Sequence, residues 1–150
     1  MQTTFEKLNL KSIMDIVVLN APESFEAELA SLKGVTVERE LKRAGEVEFF
    51  LAFVTKQKEA DLLSRAIAMK AAGDAVIWFA YPKGTSRRYK SEINRDSGWR
   101  VMGDAGFAPV RMVAIDDDWS AVRFRPVDKI KSMTRSRALS AQGKKRIAKK

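Results

Sequence analysis

The sequence predicts a single α/β domain: a Rossmann-like, mostly parallel sheet with helices on both faces and a C-terminal antiparallel hairpin at its edge. Three observations lead there. The runs "IVVL", "VEFFLAFV" and "AVIWFAY" are continuously apolar, as expected of parallel strands covered on both sides. Segments with helical apolar spacing separate them, and strand–helix–strand alternation builds a parallel sheet with helices on either face. Near the end, "PVRMVAI" and "WSAVRFR" flank Asp116-Asp117-Asp118, the pattern of a hairpin.

The elements follow in chain order. The strand at residues 16–19 stops at Asn20-Ala21-Pro22. Asn20 is placed to cap the next helix, and Pro22 suits its first turn because the missing N–H has no partner there. Phe25, Leu29 and Leu32 recur at helical spacing, and Gly34 ends that helix. "VTVEREL" is a second strand with Val35 and Val37 alternating. Residues 47–54 make the strongest strand. Residues 41–46 before it are too few for a helical crossover, so the second and third strands either form a hairpin or lie apart on an extended link.

"QKEADLLSRAIAMKAAG" reads as an amphipathic helix with Leu62, Leu63, Ala66, Ile67 and Met69 inward and Gly73 as its stop. Its outer Asp61 and Arg65 pair at i, i+4. The strand "AVIWFAY" follows, with Trp78 and Phe79 in the core. A short helix spans residues 97–105, capped by Asn94 or Asp96 and closed by Gly106, which turns Phe107 back onto Met102. Asp is favoured in turns, so the three aspartates read as turn chemistry rather than a cation site. The expected strand order is 2-1-3-4 with the hairpin at the edge.

Charge is divided unevenly. Nine of the 28 Lys and Arg lie at or beyond Lys129, where there is no acid, leaving 19 against 19 acids in residues 1–128. The expected organisation is one domain over 1–128 and a flexible basic tail over 129–150. The tail's cations are Lys129, Lys131, Arg135, Arg137, Lys144, Lys145, Arg146, Lys149 and Lys150. Such a segment neutralises nucleic-acid phosphates. It carries no aromatic residue, so base stacking and sequence preference are not expected. The alternatives are a merely solubilising tail, a segment folded back on an acidic patch of the body, and a membrane or protein contact.

Composition also excludes chemistry. With no Cys and no His, the chain has no disulfide, no thiolate nucleophile and no Ser-His-Asp triad. No cofactor or metal site is indicated. The longest apolar runs fall far short of the roughly 20 residues of a membrane helix, and the charged N-terminus lacks a signal-peptide core. The expectation is a cytoplasmic protein that does not enter a membrane.

Ligands of open α/β sheets sit beyond the carboxyl ends of the strands. The candidates there are Asn20, Thr55, and Lys83, Thr85, Ser86, Arg87 and Arg88 of the loop "PKGTSRR". Gly84 frees that backbone, the hydroxyls donate, and the cations suit phosphate or carboxylate. The loop is not a P-loop, since no GxxxxGK[ST] precedes a helix.

The order of elements resembles the later half of a Rossmann-like methyltransferase. No glycine-rich cofactor loop follows "IVVLN", which argues against that activity. The blocks "FEKLNLK", "IVVLNAPESF", "AVIWFAYPK", "INRDSGW", "AGFAPV" and "DDWSAVRFRP" together resemble a bacterial family of small α/β proteins known only as a domain of unknown function. That resemblance implies the fold and a bacterial cytoplasmic setting, and brings no site residues. Where the family pattern reads "APxGF", this chain has Glu23-Ser24, so close backbone approach to a ligand is not expected there. The reading that follows is a binding module, not an enzyme, contacting nucleic acid through its tail. The alternatives are a small-anion or nucleotide-binding domain, an enzyme among them, using the loop after the fourth strand, and a protein-interaction domain.

Overall fold

The computed structural model describes residues 4–11, 13–41, 45–93 and 98–129. A short helix α1 (Thr4–Lys7) leads into β1 (Asp15–Leu19), a 3₁₀ turn (Glu23–Phe25), α2 (Glu26–Ala30) and β2 (Thr36–Glu38). Then come β3 (Val47–Phe53), α3 (Gln57–Lys70), β4 (Ala71–Pro82), α4 (Arg100–Asp104), β5 (Phe107–Ala114), β6 (Trp119–Pro126) and a closing 3₁₀ turn (Val127–Lys129).

One six-stranded sheet runs in the order β2-β1-β3-β4-β6-β5. The first four are parallel, while β6 is antiparallel to both β4 and β5. The expected order and edge hairpin are both present. Of the two options for the second and third strands, the chain takes the link: β1 lies between them. Leu41 of that link packs with Val17, Phe50 and Ile67, and Lys70 Nζ donates to its carbonyl at 2.6 Å.

Side chains alternate across the sheet, so adjacent residues feed two cores. On one face Phe50, Ile77, Phe79 and Phe124 meet Ile67 of α3, Met102 of α4 and Trp99 just before it. On the other, Phe49, Leu51, Phe53 and Trp78 meet Phe5, Leu8, Phe25 and Leu29. The indole N–H of Trp78 donates to Leu8 O at 2.7 Å, which ties the N-terminal segment to the centre of the sheet. Each fully buried ring of this kind contributes about 1.5–3 kcal/mol through removal from water.

Several local expectations are corrected. Asn20 does not cap a helix; it has φ +58°, and its side chain goes to another strand. The inner stripe of α3 is Ala60, Ser64 and Ile67 with Leu63 beside them, whereas Leu62 and Met69 face outward at 56% and 88% exposure. Gly73 does not stop α3, which ends at Lys70. It sits at φ +51° inside β4, where residues 72–75 bulge out opposite Glu48. The predicted helix at 97–105 is shorter, Arg100–Asp104, and its cap candidates Asn94 and Asp96 lie outside the described residues. Gly106 does close it, at φ +93°. Of the predicted tail, Lys129 ends the last 3₁₀ turn and residues 130–150 lie outside the described residues.

Candidate functional site

The carboxyl ends of the parallel strands lie at one edge of the sheet, and the chain changes direction between β1 and β3. Asn20 stands at that switch point. Its left-handed backbone turns the amide toward the neighbouring strand, where Nδ2 donates to Phe53 O at 3.3 Å. Phe25 is buried and packs at a tilt against Phe53, with ring centroids 4.9 Å apart. At the switch point that open sheets use for ligands, the Asn20 amide thus bridges the two strands.

Thr55 follows β3 at the N-terminus of α3, where free amides attract anions. Here the chain's own carboxylates supply the anion. Glu59 Oε1 accepts from the amides of Thr55 and Lys56 at 3.0 and 3.2 Å, and Glu92 Oε1 accepts from the amide of Gln57 at 2.9 Å. The Glu92 amide in turn donates to Thr55 O at 2.9 Å, so residues 91–93 are pinned against the start of α3. Gln57 Nε2 extends the tie by donating to Gly98 O at 3.0 Å. Gly98, at φ +99°, runs so close to Ile93 that any Cβ would collide with its side chain.

The loop after β4 is built on a turn. Ser86 N donates to Lys83 O at 3.0 Å, with Gly84 and Thr85 at the apex. Ser86 Oγ donates to Asp118 Oδ1 at 2.8 Å and accepts from the amides of Arg88 and Tyr89. Lys83 N donates to Asp118 O at 2.7 Å. The hairpin between β5 and β6 therefore anchors the loop after β4. Asp116 holds that hairpin, accepting from the amides of Asp118 and Trp119, which is the turn chemistry expected of the triple aspartate. Tyr89 lies on Trp119 with centroids 4.9 Å apart, and the buried indole Nε1 of Trp119 has no hydrogen-bond partner.

Between this loop and the end of β4 lies an open cleft of about 560 Å³, lined by Tyr81, Pro82, Lys83, Gly84, Ser86, Tyr89, Lys90, Ser91, Glu92 and Ile93. Of the residues singled out in the sequence, Lys83 and Ser86 line it. Thr85, Arg87 and Arg88 do not, and all three are exposed. Asn20 and Thr55 do not line it, being engaged as described. Lys90, Ser91, Tyr89 and Glu92 enter the lining without a sequence motif to mark them. The one sequence signal for Lys90 was its place in a run of cations.

No protein-family model matches the chain, and no curated protein matches it. Solved structures do. The N-methyltransferase NodS from Bradyrhizobium japonicum WM9 is similar with a TM-score of 0.52 at 10% identity, over 81% of this chain and 91% of that one. A SAM dependent methyltransferase from Aquifex aeolicus gives 0.54 at 13% identity over 81% and 87%. A putative type 11 methyltransferase from Sulfolobus solfataricus gives 0.52 at 8% identity over 87% and 81%. At such identities the likeness establishes the fold. It also runs through most of the neighbours' length, so it is not confined to their later half. The expectation that leaned against an enzyme is overturned by these neighbours, all of them methyltransferases by name. The chain has the Rossmann-like architecture of the methyltransferase structures, with antiparallel strands at the edge of its sheet.

Proposed function

We propose that this protein is an enzyme acting on a small molecule that carries a phosphate or carboxylate, held in the cleft between the end of β4 and residues 83–93. The observation that carries the reading is the cleft itself. Its volume falls within the roughly 300–1,000 Å³ of small-ligand sites, and it opens beyond the carboxyl end of a parallel strand. Lys83 and Lys90 supply cations to its wall, while the polar side chains of Ser86, Ser91 and Glu92, which also line it, are held by Asp118, Ile93 and Gln57 and fix its shape. The enzymatic class is supported by the fold's methyltransferase neighbours, a fold-level analogy.

The methyl donor that such neighbours imply does not fit this chain at the switch point. A nucleoside cofactor there needs a turn whose backbone can approach it, which is the role of glycines after the first strand. Here that turn is Asn20-Ala21-Pro22-Glu23-Ser24, with Asn20 bridging to Phe53 and two acids, Glu23 and Glu26, at the start of the following helical turns. No step is derived through such a cofactor.

Thermal unfolding against a panel of nucleotides, sugar phosphates, dicarboxylates and S-adenosylhomocysteine tests the reading. A ligand at 100 times its Kd stabilises by about 2.7 kcal/mol. The expected result is stabilisation by an anionic small molecule that Lys83→Ala/Lys90→Ala abolishes. No stabilisation by any of them, or an equal response in the double variant, overturns it.

A further inference from the structure

A group of arginines lies away from the cleft, toward the amino end of β4. Pairing of β6 sets Arg123 directly opposite Trp78 on β4 and opposite Arg111 on β5, so the three share one face of the sheet. Arg125 follows two residues later on that face. Residues 72–75 bulge out of β4, and from them Asp74 accepts from Arg125 Nε at 3.0 Å and from Arg125 Nη2. Both oxygens of Asp74 are thus turned to Arg125. Arg123 is half-buried, and its Nε–H is shielded from solvent with no acceptor. A buried donor without a partner carries its full desolvation cost. Burial and the charge of Arg125 also push the Arg123 guanidinium below the ordinary arginine range; Asp74 opposes this and Arg111 adds to it. Like charges directly opposite on neighbouring strands repel.

Charge and geometry together define the ligand that relieves this strain. Three guanidiniums and one carboxylate leave an excess of two positive charges. A carboxylate ligand cancels one of them, whereas a phosphate monoester near neutral pH carries close to two negative charges. Its three terminal oxygens can accept from separate guanidinium forks. Trp78, fully buried and paired directly with Arg123, gives the site an apolar flank, and a low local dielectric strengthens such bonds. We propose that Arg111, Arg123 and Arg125 form a binding site for a phosphate dianion, free or as the head of a phosphate monoester, with Arg123 Nε as its buried donor.

The test follows the arginine Nε–H signals of the isotopically labelled full chain by nuclear magnetic resonance. Inorganic phosphate and glycerol phosphate are titrated separately, with sodium chloride adjusted to hold the ionic strength constant. The Arg123 signal is assigned by its loss in Arg123→Gln, and it shifts saturably with phosphate. Arg111→Gln, at an exposed position, weakens that response about tenfold, the usual loss for one charge-assisted hydrogen bond. Thermal unfolding serves if Arg123→Gln fails to fold: phosphate raises the midpoint of wild type and raises that of Arg111→Gln less. Lys83→Ala/Lys90→Ala keeps the Arg123 shift, which separates this site from the cleft. A response to both ligands supports recognition of the monoester head, and a response to inorganic phosphate alone supports the free ion. An unmoved Arg123 signal, a shift that sodium chloride alone reproduces, or wild-type affinity in Arg111→Gln overturns the proposal.

Discussion

Ser64 is the one buried polar residue among those described, 1% exposed on the inner side of α3, with an Oγ that has no partner. A hydroxyl buried without a hydrogen bond carries its full desolvation cost, and Ala is also the better helix former. Ser64→Ala is therefore expected to stabilise the protein by about 1 kcal/mol, read as a higher urea midpoint at unchanged m. A lower midpoint would show that the hydroxyl has a use. Asp116 is the opposite case. Its Oδ1 takes two amides, Asp118 N at 2.8 Å and Trp119 N at 2.9 Å, as a helix cap would. Asp116→Ala is expected to cost about 0.5–2 kcal/mol by analogy with lost caps, while Asp116→Asn retains most of the stability. At this scale the sequence was only partly legible. The turn chemistry of the aspartates could be read because it is local. The role of Asn20 could not, since its acceptor, Phe53 O, lies 33 residues away and becomes adjacent only when β1 pairs with β3.

Among elements, α2 is five residues long and is joined to the end of β2 by a two-pronged ion pair. Arg39 Nη1 and Nη2 donate to the two oxygens of Glu26 at 3.0 and 2.8 Å. The hydrogen bond from Arg39 holds the Glu26 carboxyl below its ordinary range. A carboxylate with a depressed folded pKa adds stability that is complete above its unfolded value and disappears as pH falls through the folded one. The difference between wild type and Glu26→Gln is thus expected to be constant from pH 6 to 8. It should shrink on acidification below the ordinary Glu pKa of about 4.3. Both side chains are nearly half exposed, so 1 M salt should remove it as well. Urea titrations of the two proteins at several pH values and salt levels check this; a difference that does not shrink on acidification would contradict it. The helices also mark the limit of pattern reading. In α3 the apolar positions Leu62, Leu63, Ala66, Ile67 and Met69 cover more than one face, and Ala60 and Ser64 carry too little hydrophobicity to signal that they point inward. Which face is buried was decided by packing against Phe50 and Ile77, not by the helix alone.

At the level of the molecule, the sheet order was readable because long apolar strands separated by short helices allow few arrangements. The cleft was readable only in part: its wall lies within residues 81–93, so Lys83 and Ser86 could be singled out, but the shape of that loop depends on Asp118 of the distant hairpin, which accepts from Ser86 Oγ. The same sheet makes a prediction about cooperativity. Phe49 and Phe50 are neighbours on β3, both fully buried, one in each core. Neither core can come apart without β3 losing its pairing with β1 and β4, which both cores share. The two faces should therefore unfold as a single unit although no residue of one helical layer need touch the other. Phe49→Ala and Phe50→Ala are each expected to cost about 3–5 kcal/mol. In wild type and in both variants, tryptophan fluorescence and far-ultraviolet circular dichroism should give coincident urea transitions. The fluorescence samples both layers, since Trp78 reports on one core and Trp99 on the other. If Phe49→Ala split the fluorescence transition and left the Trp99 component at the wild-type midpoint, the faces would be energetically separate. The sheet would then act as a partition between two cores and not as the common element that makes them fold together.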